Sequence, residues 1–125
     1  MNKSTLFELT LFDPENSLIK LLEQRDIEYR TLPVTRKFVV ATDVTVEVLS
    51  VDNTDAQIEE MIENLALIFI EWLKGKPNRK LQVQSVDGSI LYVDEGDRDA
   101  VANIVKNALK ISAFDPEYNT RILNK

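Results

Sequence analysis

The sequence contains no cysteine and no histidine, and only three of its 125 residues are glycine. Without these residues the chain has no thiolate nucleophile, no imidazole acid or base, and none of the commonest soft metal ligands. The glycines are also too few for a phosphate-binding loop, which needs several of them in one short window. We therefore expect no metal and no cofactor, and the absence of cysteine excludes a disulfide framework.

Long hydrophobic runs are missing as well. The longest, Leu65 to Ile70, is far too short to span a bilayer. The first fifteen residues do not match the pattern of a signal peptide. We expect a cytoplasmic protein, since a chain without cysteine suits a reducing compartment.

A strongly basic surface is the third missing feature. The net charge is −6, and the acidic excess lies in residues 51–76. A chain with no basic stripe is a poor candidate for binding nucleic acid or anionic lipid, so we expect neither a nucleic acid nor a membrane as partner. A protein partner would be neutral or basic.

The composition that is present, 44% hydrophobic and 29% charged, is typical of a soluble globular domain. We predict one α+β domain over residues 1–111 and a tail over 112–125. Its sheet should be mostly antiparallel with helices packed on one face. The predicted order is β-α-β-β-α-β-β-α, with strands at 5–12, 27–34, 37–51, 80–86 and 89–94 and helices at 14–25, 53–74 and 97–110.

Two details of this prediction stay open. The β segment over 37–51 is long for one strand, so a turn or a bend near Thr42 is expected. In the hairpin at Asp87-Gly88, a two-residue loop would place Val83 opposite Tyr92. A three-residue loop with Gly88 in the left-handed region would place Val83 opposite Val93, and we favour it because both residues then share the buried face.

The motif Phe-Asp-Pro-Glu occurs twice, at residues 12–15 and 114–117. An aspartate followed by proline is typical of a helix start, because proline lacks an N–H that the first turn does not use. We interpret the second copy as another helix start, which predicts a short helical turn from Tyr118 to Leu123.

The long helix carries the candidate interaction residues. One stripe of it is apolar, but Leu67 and Ile70 on its back are apolar too, and Trp72 lies near its end. A helix that is apolar all round is either buried in a core or covered by a partner. We predict that these three residues contact a protein partner or a second copy of the chain, as in a homodimer.

The first half of the same helix carries an acidic face formed by Asp55, Glu59, Glu60 and Glu63. Carboxylates at this spacing repel one another, which is compatible either with a solvated surface or with a contact for a basic partner. We include these four residues among the predicted interaction residues. A further cluster, Asp94, Glu95, Asp97 and Asp99, lacks the spacing of a calcium loop, and we interpret it as a solvated hairpin end and a helix cap.

From about residue 62 to 110 the sequence has a helix ending in Trp72-Leu73, a hydrophilic link, a strand, Asp87-Gly88, a second strand and an amphipathic helix. This order resembles the small effector-associated α/β modules of bacterial conflict systems. The resemblance implies a constant adaptor that works beside variable effector partners and is not an enzyme. The chain departs from that family in lacking a glycine-rich linker and an extra apolar helix, and no functional residues carry over.

Three functions follow as hypotheses. The first is a non-catalytic interaction or adaptor domain in a bacterial defence system. The second is an immunity or inhibitor protein whose acidic face covers a basic partner. The third is an enzyme that uses carboxylates and lysines alone, for which no motif gives positive support.

Overall fold

The computed structural model describes residues 4–13, 15–32, 44–50 and 55–116. They form an α+β fold. The strands are β1 (Ser4–Phe12), β2 (Tyr29–Thr31), β3 (Val44–Ser50), β4 (Lys80–Ser85), β5 (Ile90–Val93) and β6 (Ala108–Phe114). The helices are α1 (Ser17–Gln24), α2 (Asp55–Gly75) and α3 (Arg98–Lys106). Of these three helices, none has the length and apolar character that crossing a membrane requires.

The strands make one sheet in the order β2-β3-β1-β6-β4-β5. Four of its pairings are antiparallel, and β1 pairs with β6 in parallel. The prediction of a mostly antiparallel α+β sheet is therefore confirmed. Within the described ranges, strands β2 and β5 are the outermost strands of the sheet.

The helices cover one face of this sheet. Along β1, the side chains of Phe7, Leu9 and Leu11 are buried, whereas Glu8 and Thr10 between them are only half-buried, as the period of two in a strand requires. Helix α2 packs against both α1 and α3. The core under it contains the largest fully buried side chains, which are Trp72, Phe69, Leu9, Leu11, Leu18, Leu22, Leu65, Ile68, Leu81, Ile111, Val46 and Val48. We call the side of the sheet away from the helices the open face.

Strand β6 was not predicted, and the last predicted helix is too long. The predicted helix over 97–110 ends at Lys106, and β6 follows after one turn residue, inserted between β1 and β4. Ala108 and Leu109 continue the apolar helical spacing of α3, which is why the helix was predicted too long. Beyond them Ile111 and Ala113 are buried and alternate with less buried residues, which is the pattern of a strand. The predicted boundary between residues 111 and 112 falls inside β6, and the predicted helical turn at 118–123 lies outside the described residues.

Helix α1 begins later than predicted, at Ser17, and the predicted cap residue Asp13 acts from four residues upstream. Its Oδ2 accepts hydrogen bonds from the Leu18 backbone N–H at 2.9 Å and from the Ser17 hydroxyl at 2.8 Å. It thereby satisfies one of the donors that a helix start leaves free. The chain reaches this geometry through Asn16, which has a φ of 56°.

Two further strands have bounds that differ from the prediction. The predicted strand over 27–34 is shorter, Tyr29–Thr31, and the strand predicted over 37–51 is described as Val44–Ser50. The expected turn or bend near Thr42 lies outside the described residues, as do residues 53 and 54 at the predicted start of α2.

The β4–β5 hairpin has a register that differs from both alternatives. Val83 lies opposite Leu91, and Leu81 lies opposite Val93. The loop has three residues, 86–88, and Gly88 adopts the predicted left-handed conformation at a φ of 91°. The pairs are shifted from the favoured register because the hairpin is closed by Ser85 and Ser89, whose backbone N–H and C=O are 2.8 Å apart.

Candidate functional site

The apolar residues predicted on the back of α2 are packed within the chain to a large extent. Leu67 and Ile70 are half-buried, and Ile70 packs against the core. Trp72 is only 1% exposed. These residues offer a partner little accessible surface, and their role in an interaction stays a prediction.

Trp72 belongs to a buried network of polar side chains formed by Asp13, Ser17, Trp72, Arg79 and Asp115. The indole N–H of Trp72 donates to Ser17 Oγ at 3.0 Å, and the Arg79 guanidinium lies 4.5 Å from the centre of the Trp72 rings. Ser17 in turn donates to Asp13, so its hydroxyl uses both its donor and its acceptor capacity. The network ties the start of α1 to the end of α2.

Arg79 is the central residue of this buried network. Its Nε donates to Asp115 Oδ2 at 3.0 Å, and the exposed fractions of the two side chains are 5% and 1%. Its other nitrogens donate to the Trp72 carbonyl at 2.6 Å and to Ser17 Oγ at 3.2 Å. The first of these caps a carbonyl in the last turn of α2, which has no partner within the helix. Because the charges are paired and enclosed, we interpret the network as structural.

Both copies of the Phe-Asp-Pro-Glu motif meet at this network. In the parallel pairing of β1 with β6, Phe12 lies opposite Phe114, and the two rings stack at 4.8 Å with an interplanar angle of 4°. The two following aspartates, Asp13 and Asp115, are both buried. Asp13 Oδ1 is buried without a hydrogen-bond partner among the described residues. The repeat is thus structural, with each copy ending one of two neighbouring parallel strands.

The acidic face of α2 is exposed. Asp55, Glu59, Glu60 and Glu63 all have exposed side chains. Glu59 and Glu63 line a groove of about 310 Å³ between α2 and α3, together with Asp99 of α3. Half-buried Ile62 and Ala102 also line this groove. The groove places three carboxylates and the amine of Lys106 beside apolar side chains. The carboxylates outnumber the amine, so the groove suits a further basic side chain with an aliphatic stem.

The acidic cluster after β5 behaves as a helix cap. Asp97 Oδ1 accepts a hydrogen bond from the Ala100 backbone N–H at 2.8 Å, which confirms the predicted cap of α3. Asp99 pairs with the neighbouring Arg98. Within the described ranges no three Asp or Glu side chains lie close enough together to hold a metal ion.

The large apolar side chains that are exposed lie elsewhere, at the β5 edge of the sheet. In the described residues there are five, and they share one neighbourhood, the β4–β5 hairpin and the adjacent start of β6. We call them the edge patch, which comprises Val86, Ile90, Leu91, Tyr92 and Leu109. Tyr92 and Val86 are each 68% exposed. This patch was not predicted from the sequence. The alternation of apolar and polar residues shows which residues share a face of the hairpin, but it does not show that β5 is the outermost described strand, which depends on the order of strands in the sheet.

Among the described residues, no strand pairs with the outer edge of β5. Ser85 and Ser89 form a hydrogen-bonded pair, and hydrogen-bonded and non-hydrogen-bonded pairs alternate along an antiparallel ladder. Gln84–Ile90 and Gln82–Tyr92 are therefore non-hydrogen-bonded pairs, which directs the N–H and C=O groups of Ile90 and Tyr92 away from β4. An edge of this kind can pair with a further strand.

The hairpin that carries β5 is fixed at its tip by Asp87. Its Oδ1 accepts hydrogen bonds from the Ser89 hydroxyl at 2.6 Å and the Ser89 backbone N–H at 2.9 Å. These bonds favour the charged carboxylate and hold the pKa of Asp87 below its ordinary value. The tip therefore keeps a negative charge beside the edge patch.

Comparisons of the chain with protein-family models, with curated protein sequences and with solved structures find no match.

Proposed function

We propose that the chain is a non-catalytic protein-interaction domain that acts through the β5 edge of its sheet. The observation that carries this proposal is the edge patch, where the exposed large apolar side chains of the described residues lie together. Large apolar side chains that are exposed in one region of a protein are typical of an interaction site. An adaptor role of the kind implied by the resemblance is part of this proposal.

The chemistry of the other sites supports the same conclusion. The buried network pairs Arg79 with Asp115, and both side chains are almost fully buried, so these charges offer a substrate little accessible surface. The edge patch, in contrast, combines apolar side chains with outward-facing backbone groups. Strand addition uses both of these, since the backbone supplies affinity and alternate side chains supply specificity.

The test is a selection of random peptides displayed on phage against the folded domain. Binders selected on the natural chain should lose binding to the variant Ile90→Lys/Tyr92→Lys, because lysine on an edge strand opposes further pairing. The matched control is Thr31→Lys, an exposed position on the opposite edge strand β2, which should leave binding unchanged. Binders that do not distinguish the two variants would contradict the proposal.

The acidic face of α2 favours a second function, inhibition of a basic partner. Its groove brings Glu59 and Glu63 close to Asp99, and electrostatic complementarity of this kind raises association rates. The variant Glu59→Lys/Glu63→Lys should keep the melting temperature of the natural chain and lose salt-sensitive binding to a basic protein. If that variant binds a basic protein as the natural chain does, this second function is excluded.

A further inference from the structure

We infer that the occupant of the β5 edge is an extended segment that carries lysine or arginine on both sides of an alternating apolar core. This inference rests on the proposed function and deepens it, since it names the chemistry of the partner. It follows from the charges that flank β5. Residues 81–97 contain four acidic residues and no lysine or arginine.

The acidic residues stand at both ends of β5. Asp87 lies at the hairpin tip, before the strand, and Asp94 and Glu95 follow the strand directly. All three are exposed. A segment paired along β5 would extend past both ends, and basic residues there would face carboxylates. Side chains of the segment at alternate positions would pack beside Ile90 and Tyr92 on the open face.

The same charges disfavour a second copy of this chain as the occupant. In an antiparallel pairing of two β5 strands, Asp94 and Glu95 of one copy approach Asp87 of the other. In a parallel pairing, Asp87 of one copy lies near Asp87 of the other, and Asp94 and Glu95 lie near their counterparts. Either arrangement brings carboxylates together, and like charges directly opposite each other destabilise a strand pair.

The experiment uses two synthetic peptides and the whole chain labelled with ¹⁵N. The first peptide is Lys-Lys-Thr-Val-Thr-Val-Thr-Lys-Lys, and the second has glutamate in place of each lysine. We expect the basic peptide to bind about tenfold more tightly at low salt, as a few exposed ion pairs would provide. The difference in affinity between the two peptides should decrease at high salt. Binding of the basic peptide should change the chemical shifts of backbone amides mainly in β5.

Three variants locate the interaction. Asp94→Lys/Glu95→Lys should reverse the preference between the two peptides. Its matched control, Glu23→Lys/Glu71→Lys, makes the same change in net charge at exposed positions of α1 and α2 and should leave the preference unchanged. Tyr92→Pro removes one outward-facing N–H and no hydrogen bond to β4, so it should weaken both peptides while the sheet stays folded.

The results that overturn the inference are distinct from those that overturn the proposed function. Equal binding of both peptides at β5 would refute a basic occupant and leave an interaction domain that uses this edge. A dimer detected by light scattering and lost in Tyr92→Pro would refute it in favour of self-association. If peptide binding changes amide chemical shifts only on the acidic face of α2, the placement of the binding site at β5 is refuted. If neither peptide binds, the inference of a basic occupant is refuted too. The phage-selected binders would then show whether any partner uses the β5 edge.

Discussion

Replacing Arg79 with methionine should strongly destabilise the domain. The substitution keeps an apolar stem of similar length and removes the guanidinium that pairs with Asp115 at 3.0 Å. It also removes the donors to the Trp72 carbonyl and to Ser17, and the contact with the Trp72 rings. The Asp115 carboxylate then stays buried, with the partly exposed amine of Lys76 at 3.8 Å.

The magnitude follows from the burial of both charges. Removing one member of a buried ion pair leaves the other charge poorly compensated and costs about 3–5 kcal/mol of the free energy of unfolding. For a domain of this size we expect the melting temperature to fall by about 10–20 °C. In urea denaturation the unfolding midpoint should move to a lower urea concentration, while the dependence of the free energy of unfolding on urea concentration stays unchanged.

Two further variants make the measurement specific. Arg98→Met removes an exposed arginine whose pair with Asp99 spans 3.6 Å at the surface, and the change should stay below about 1 kcal/mol. Arg79→Met/Asp115→Leu removes both buried charges and should be more stable than Arg79→Met alone. A loss below about 1 kcal/mol for Arg79→Met would refute the conclusion that the buried network joins α1, α2 and β6.

Three other substitutions test local features. Gly75→Ala should destabilise the domain by about 1–3 kcal/mol in urea denaturation, because the new Cβ would lie 2.8 Å from Arg79 Nη1 and displace it; a stabilised variant would contradict this close approach. Gly88→Ala should lower the free energy of unfolding by about 1–2 kcal/mol through backbone strain alone, since φ is +91° and no atom lies within 4 Å of the new Cβ. Ser89→Ala should raise the pKa of Asp87 towards its ordinary value in an NMR titration, because the hydroxyl that lowers it most is removed. In the natural chain the lowered pKa stabilises the hairpin at pH values above the unfolded-state pKa of Asp87, and this contribution is lost as the pH falls through the folded-state pKa. An unchanged pKa of Asp87 in Ser89→Ala would show that the hydroxyl has no effect.

Local sequence patterns predicted the elements whose signals are contained in one segment. The alternation of Phe7, Leu9 and Leu11 is enough to identify β1 and its buried face. The helical stripe of α2 and the Asp97 cap of α3 are also local signals. Each of these depends on residues within a few positions of one another.

The strand β6 depends on contacts between residues far apart in the chain, and its short pattern competes with the end of α3. A signal for it was nevertheless present. Leu9-Thr10 precedes the first Phe-Asp-Pro-Glu motif at the same distance as Ile111-Ser112 precedes the second. This match would have indicated two equivalent strands, because Leu9 pairs with Ile111 and Thr10 with Ser112 in the sheet.

The candidate site was missed for a related reason. Leu67, Ile70 and Trp72 were identified from an excess of apolar residues on one helix. The sequence pattern does not show that Trp72 is buried and the other two are half-buried. Exposure at Ile90 and Tyr92 arises because β5 is the last strand in the sheet. The order of strands, unlike their faces, is decided by tertiary packing.

The position of β6 has a consequence for folding during synthesis. Strands β2, β3 and β1 form one hydrogen-bonded group and β4 with β5 forms another, and β6 is the strand that joins them. The ribosome synthesises both groups before residues 108–114, so the two groups cannot join into one sheet until β6 has emerged. Until then, the flanks of β1 and β4 remain unpaired edges, which are prone to aggregation. The rate at which residues 108–114 dock should therefore govern how much of the newly made chain reaches the native state.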